Sequence, residues 1–351
     1  MYPALAVVDA LGKRAEVLWI GSEGGMEASL LSRAGQNFRS IPAAGVHGVG
    51  LRALPGNLAR LARGVPAARR IVQDFDPEAI FFTGGFVGVP VALAARGVPK
   101  AIFVPDIEPA LALRLIGRMA DVITVSTQKS LAFHPKGKRV VVTGYPTRAA
   151  LANLDRAKAR HQLGLDGQKK MLLVFGGSRG ARSINEALWS CLPALLERVV
   201  VLHITGHLDW PRVDGVVEKL SAQLRENYRV HAYLHDEMPF ALVAADLVLS
   251  RAGAATIGEY PLIGLPAVLV PYPHAWRYQK VNADYLVEAG AAVSLADEAL
   301  STELLPAIFD LLDDPDRLAA MRDAMKELAA PGAAEAIANE LLRLGERGAR
   351  A

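Results

Sequence analysis

Two Rossmann-like α/β domains are what this sequence predicts, and three observations carry that expectation. Short β-branched runs recur between helical stretches, the order that builds parallel sheets covered by helices. One strand–turn–helix–strand unit occurs twice, as AIFFTGGFVGVPVALAARGVPKAIFVP from Ala79 and as DLVLSRAGAATIGEYPLIGLPAVLVP from Asp246. Both copies carry Gly-Val/Leu-Pro before a strand that ends in Val-Pro, as expected of paired βαβ units. At 351 residues with 52% hydrophobic content, the chain can bury two cores.

The elements follow in order. YPALAVVDAL reads as a helix from the second residue: Pro3 suits a first turn, and Leu5, Val8 and Leu11 fall at helical spacing. Strands are expected at Val17 to Ile20, Ala79 to Phe82, Ala101 to Val104, Val122 to Val125 and Val140 to Val142. A boundary near Thr147 to Asn153 then divides residues 1–149 from 150–332. The second half offers strands at Met171 to Phe175, Val199 to Ile204, Arg229 to Leu234, Leu247 to Leu249 and Ala267 to Val270. After Pro331-Gly332 the tail, 333–351, has a helical pattern and is a candidate to pack back on the first domain.

Composition narrows the function. A net charge of +3 is too mild to imply a nucleic-acid partner, and the apolar runs fall far short of the roughly 20 residues a membrane span needs. The single cysteine, Cys191, excludes an internal disulfide framework and fits a reducing, cytoplasmic setting. Local charge does cluster. GLRALPGNLARLARGVPAARRIV sets Leu54, Leu58, Leu61 and Val65 on one helical face beside Arg60, Arg63, Arg69 and Arg70, with no acidic residue. Such a surface either lies on anionic lipid or packs its leucines onto the sheet with the arginines solvated.

The chemistry-bearing segments sit after strands. In LLVFGGSRGARSINEAL, Gly176, Gly177 and Gly180 turn a strand into a helix, whose free N–H groups and partial positive charge suit a diphosphate; Ser178 adds a hydroxyl. The same residues also fit a plain tight turn, or the G-x-S-x-G elbow of a serine hydrolase with Asp246 and His274. In SRAGAATIGE, Glu259 can accept two ribose hydroxyls or be a solvated helix residue. PYPHAWRYQKVNADYL sets His274, Arg277, Gln279 and Asn282 between a strand and a helix. No D-x-D pair follows a strand and no His/Cys cluster has ligand spacing, so these patterns do not point to a metal.

Taken together, YPALAVVDAL, TGGFVGVP from Thr83, VTGYPTR ending at Arg148, GGSRGAR, SRAGAATIGE and HAWRYQKVNA resemble the MurG family over nearly the whole chain. The resemblance implies a GT-B fold, two Rossmann-like domains with parallel sheets facing a central cleft. It implies inverting transfer of N-acetylglucosamine from UDP-GlcNAc to a lipid-linked muramoyl-pentapeptide acceptor in peptidoglycan synthesis, without metal or cofactor. The setting it implies is peripheral, on the cytoplasmic face of the bacterial inner membrane.

Residue by residue, the resemblance assigns Arg148, Ser178, His235, Gln279 and the run Ala254, Ala255, Thr256, Ile257, Gly258 and Glu259 to the nucleotide sugar. Gly84 and Gly85 belong to a loop facing the acceptor diphosphate. Two departures stand out. The family's first strand and GGTGGH-type loop, with its histidine base, have no counterpart before YPALAV; a misplaced start codon or trimmed N-terminus is the expected cause. At PDIEP, Asp106 is the candidate to keep a catalytic carboxylate, and Glu108 replaces an asparagine that contacts donor sugar. A nucleotide-sugar-binding relative without the chemistry, and a lipid glycosyltransferase with another acceptor, remain alternatives; an NAD-dependent dehydrogenase fits less well.

Overall fold

The structure is a computed structural model and describes residues 2–25, 28, 31–32, 35–45, 52, 54–165, 169–177, 180–273 and 277–348. It divides into two units, residues 1–147 with 332–351 and residues 148–331.

The first unit opens with helix α1 (Tyr2–Leu11), which buries Ala4, Ala6, Val7 and Leu11. The buried face is rotated from the expected Leu5/Val8 stripe because the helix lies against the C-terminal helix, where small side chains permit close packing. Strand β1 (Trp19–Ser22) starts two residues later than expected, since its register is set by parallel pairing with β2 (Phe38–Ile41), Trp19 opposite Phe38. β2 has no sequence counterpart among the expected strands. Helix α2 (Leu54–Phe75) buries Gly64, Ala68 and Val72, spaced four apart. Gly64 is needed there: a Cβ would stand 2.4 Å from the Pro42 carbonyl oxygen.

β3 (Ile80–Phe82), α3 (Gly88–Ala94), β4 (Lys100–Val104), α4 (Leu111–Met119), β5 (Val122–Val125) and β6 (Val140–Val142) follow. The four strands pair in parallel in the order β3-β4-β5-β6, and β4 and β5 are buried throughout, as central strands between two layers must be. The unit thus carries two parallel sheets rather than one: among the described residues, no strand pairs with both β1 and β3. One core still serves both, with Ile41, Ala68, Phe82, Ile102, Ile116 and Ile123 in a single cluster.

The second unit contains β7 (Met171–Phe175), α5 (Arg182–Arg198), β8 (Val200–Ile204), β9 (Tyr228–His231), α6 (Met238–Ala244), β10 (Leu247–Ser250), α7 (Glu259–Ile263), β11 (Ala267–Leu269), α8 (Tyr278–Glu288), β12 (Ala292–Ser294), α9 (Leu300–Leu312) and α10 (Pro315–Glu327). Its six strands are all parallel, in the order β12-β11-β10-β7-β8-β9. From β7 the chain winds one way through β8 and β9, then returns to β10 on the other side. Neighbouring β7 and β10 therefore form a topological switch point, and the loops at their C-terminal ends diverge to leave a crevice. β9 ends at His231, three residues before the expected Leu234, and β12 is a further strand the sequence did not announce.

The chain closes with α11 (Ala333–Gly348), which packs against α1 and β4 in the first unit.

Candidate functional site

The switch point brings together the two segments singled out from the sequence. On one side β7 ends at Phe175 and the glycine turn leads to α5, whose N-cap residue Ala181 makes no side-chain cap. The N-terminal end of a 17-residue helix carries the partial positive charge that favours an anion there. Gly180 makes the approach possible: φ is +79°, and a Cβ would lie 2.2 Å from the Thr205 carbonyl oxygen. Ser178 lies outside the described residues, as does His274.

On the other side β10 runs into Gly253, a 3-10 turn over Ala254–Ile257, and α7. The expected single helix is in fact two short pieces joined at Gly258. The break carries Glu259 to the start of α7 and turns Ile257 and Thr256 inward; the Thr256 hydroxyl donates to the Gly253 carbonyl at 2.8 Å. Ala254 and Ala255 are half-buried on the same turn. Tyr260 anchors the piece from below, its hydroxyl 2.8 Å from Ser250 Oγ in the interior. Desolvation holds the Glu259 carboxyl above the usual carboxylate range, opposed by the Arg148 guanidinium, so the two charges face one another within this unit.

Two further loops reach the same sheet edge. Gln279, in the first turn of α8, accepts the Tyr272 backbone N–H at 2.9 Å and so joins the loop after β11 to the helix. His235 is exposed beyond β9, tilted against Tyr233 at 4.6 Å; Tyr233 in turn stacks on His207, which follows β8. Arg251, inside the quoted SRAGAATIGE, escaped the sequence reading. An arginine directly after a buried strand was the available signal.

In the first unit Gly84 and Gly85 turn β3 into α3 with φ of +122° and +83°. Asp106 is half-buried just past β4, where Ser126 Oγ donates to the Pro105 carbonyl at 2.9 Å. Glu108 is 1% exposed and accepts from Arg114 Nη2 at 2.6 Å. The carboxylate turns inward onto an arginine of α4 and so braces the loop.

The leucine stripe of α2 is likewise placed. The face turned to the core is Gly64, Ala68 and Val72; Leu54, Leu61 and Val65 are half-buried, Leu58 is 51% exposed, and Arg60, Arg63, Arg69 and Arg70 are exposed. Beside it a groove of about 470 Å³ is lined by Val65, Val72 and Leu93 together with Arg69, Arg96 and Asp76. Among the described residues, no helix is long and apolar enough to cross a membrane, and no three His, Cys, Asp or Glu residues group as a metal site.

Comparison with known proteins gives this geometry a family context. Residues 1–123 match the glycosyltransferase family 28 N-terminal domain, and residues 171–337 match the family 28 C-terminal domain. A UDP-N-acetylglucosamine--N-acetylmuramyl-(pentapeptide) pyrophosphoryl-undecaprenol N-acetylglucosamine transferase of Roseiflexus sp. is 39% identical, over 96% of this chain and 91% of the relative. The protein of the same name from Desulforudis audaxviator is 38% identical over 100% of this chain and 96% of its own length. Among solved structures, MurG of Acinetobacter baumannii superposes with a TM-score of 0.74 at 27% identity, covering 97% of this chain and 95% of that one.

Proposed function

The chain belongs to glycosyltransferase family 28, and from that membership we propose how its residues share the work of the reaction. It is a UDP-GlcNAc-dependent hexosyltransferase of peptidoglycan synthesis, which moves N-acetylglucosamine to N-acetylmuramyl-(pentapeptide) pyrophosphoryl-undecaprenol. The observation that carries the assignment of roles is the β7/β10 switch point, with a glycine-loop helix terminus on one side and Glu259 on the other.

In this reading the donor diphosphate sits at the N-terminus of α5 with Ser178 and Arg148, Glu259 accepts the ribose hydroxyls, and Gln279 and the Ala254–Gly258 turn flank the sugar. His235 lies toward the uracil. Transfer inverts the anomeric carbon: the acceptor hydroxyl oxygen forms the new bond, the bond to UDP breaks, and the helix terminus and Arg148 meet the charge that gathers on the leaving diphosphate. No metal or cofactor is required in this scheme. We assign Asp106 to take the acceptor proton, and Gly84 and Gly85 to let backbone approach the acceptor diphosphate.

The enzyme works as a peripheral protein on the cytoplasmic face of the membrane, held through α2. Its half-exposed leucines, the four exposed arginines and the adjoining groove support that placement, because an apolar stripe bordered by guanidiniums suits the lipid boundary beneath anionic headgroups.

Transfer of labelled N-acetylglucosamine from UDP-GlcNAc to the lipid-linked acceptor is the direct assay. Asp106→Asn should lower kcat by about 10²- to 10⁴-fold with UDP binding intact. Undiminished kcat removes Asp106 from the base role.

A further inference from the structure

We propose that Arg251 is a positioning residue that locks the loops of the donor edge together before substrate arrives; this rests on the donor reading of that edge. Arg251 lies one residue past β10, and its side chain is only 10% exposed. Its Nη2 donates to Ser183 Oγ at 2.8 Å, in the first turn of the helix that follows the glycine loop. Its Nη1 pairs with Asp297 Oδ1 and donates to the Val270 carbonyl at 3.2 Å, where β11 hands over to its loop. The guanidinium also lies 5.2 Å from the ring centroid of Tyr272, whose N–H holds Gln279. Ser183 Oγ closes the ring by donating to Asp297 Oδ1 at 2.8 Å.

One side chain thus joins the diphosphate helix, the ribose loop on which it sits, the loop leading to Gln279 and the segment before α9. Only an arginine reaches all of them, because its five N–H donors spread in a fixed plane, whereas an ammonium keeps the ion pair and loses the fork. Loops that bind one ligand from several sides otherwise lose conformational freedom on binding, so a clamp that orders them in advance raises affinity without touching the ligand. A purely structural ion pair would act on stability everywhere in the unit. A clamp at this edge acts on the donor.

The test compares Arg251→Lys with Arg156→Lys. Arg156 holds the Ala245 carbonyl at 2.9 Å and Asp246 at 2.7 Å, at the opposite, N-terminal end of β10. Arg251→Lys should raise the KM for UDP-GlcNAc about tenfold or more, leave kcat at saturating donor and the acceptor KM within about threefold, and weaken UDP binding in calorimetry by the same factor as the KM change. Arg156→Lys should lower Tm with the donor KM unchanged. Ser183→Ala removes one arm without leaving a buried charge, and should give a smaller rise of about two- to fivefold in the same KM. An unchanged donor KM in Arg251→Lys and Ser183→Ala, or an equal rise in Arg156→Lys, overturns the clamp. Wild-type protein that binds UDP while these variants bind it equally well overturns the clamp alone; wild-type protein that binds no UDP overturns the donor reading with it.

Discussion

His203 on β8 places its Nε2 2.9 Å from Asn185 Oδ1 on α5, and this contact fixes the proton on a fully buried imidazole. Asn185 Nδ2 donates to the Thr205 carbonyl and to Asp209 Oδ2, both at 2.9 Å, so its Oδ1 is the acceptor and His203 carries hydrogen on Nε2. Nδ1 then accepts from the Tyr228 hydroxyl at 2.8 Å, and Tyr228 accepts from Trp189 Nε1 at 3.2 Å. The relay runs from Trp189 through Tyr228, His203 and Asn185 to Asp209, which also receives Arg182 Nε at 3.0 Å. The arrangement needs a neutral ring, and it ends beneath the Thr205 carbonyl against which Gly180 packs.

Burial pushes the His203 pKa down to about 3, with Asp209 opposing. An unfolded histidine titrates near 6.5, so between these values the unfolded chain binds the extra proton. Stability from this group is full above pH of about 6.5 and is lost as pH falls toward 3, at about 1.4 kcal/mol per pH unit. Denaturant unfolding of His203→Gln between pH 7 and pH 5 should show a slope shallower than wild type by about that amount. Parallel slopes would remove His203 from the acid limb.

Glu259 makes the matching prediction for binding. Its carboxyl is raised by desolvation, so the carboxylate proposed to accept ribose hydroxyls disappears at a higher pH than an ordinary glutamate would. Donor KM should climb on acidification before the usual carboxylate range is reached, and Glu259→Gln should abolish that limb. Glu259→Ala should weaken UDP binding by about 1.5–3 kcal/mol. Titration calorimetry reads both, and unchanged UDP affinity in the alanine variant removes the ribose contact.

Glu108 and Arg114 separate bracing from recognition. Glu108→Gln keeps the shape of the buried side chain but loses its charge toward an arginine that is 45% exposed, so a modest cost of about 1–2 kcal/mol is expected. Donor KM should not move. A donor KM raised tenfold with Tm preserved would restore Glu108 as a sugar contact.

Membrane docking through α2 is read by vesicle sedimentation. Wild type should bind anionic vesicles at low salt and come off at high salt, since each basic residue near the surface contributes about 1 kcal/mol that salt screens. The variant with Arg60, Arg63, Arg69 and Arg70 changed to Gln should stay in the supernatant. Equal behaviour of the two proteins would make this an ordinary solvated helix face.

The sequence by itself determined the parts whose signal is local. The central strands β4, β5, β7, β8 and β10 are predominantly apolar runs because both their faces are covered, and such runs stand out without any partner. The glycine turns were legible for a similar reason, since strand-to-helix turns that approach a ligand demand glycine at fixed places. Motif order across the chain then pointed to the family.

Only the tertiary structure decided what depends on residues distant in sequence. β2 and β12 are short and partly polar, and parallel pairing rather than propensity makes them strands. The face α1 buries was set by α11, more than 300 residues away, and the inward turn of Glu108 by an arginine on the next helix. Arg251, Ser183 and Asp297 span 114 residues, and His203 meets Asn185 and Tyr228 across a helix and a strand. A buried polar side chain is tolerable only where its partners converge. That convergence belongs to the packed sheet and helices, so no window of the sequence displays it.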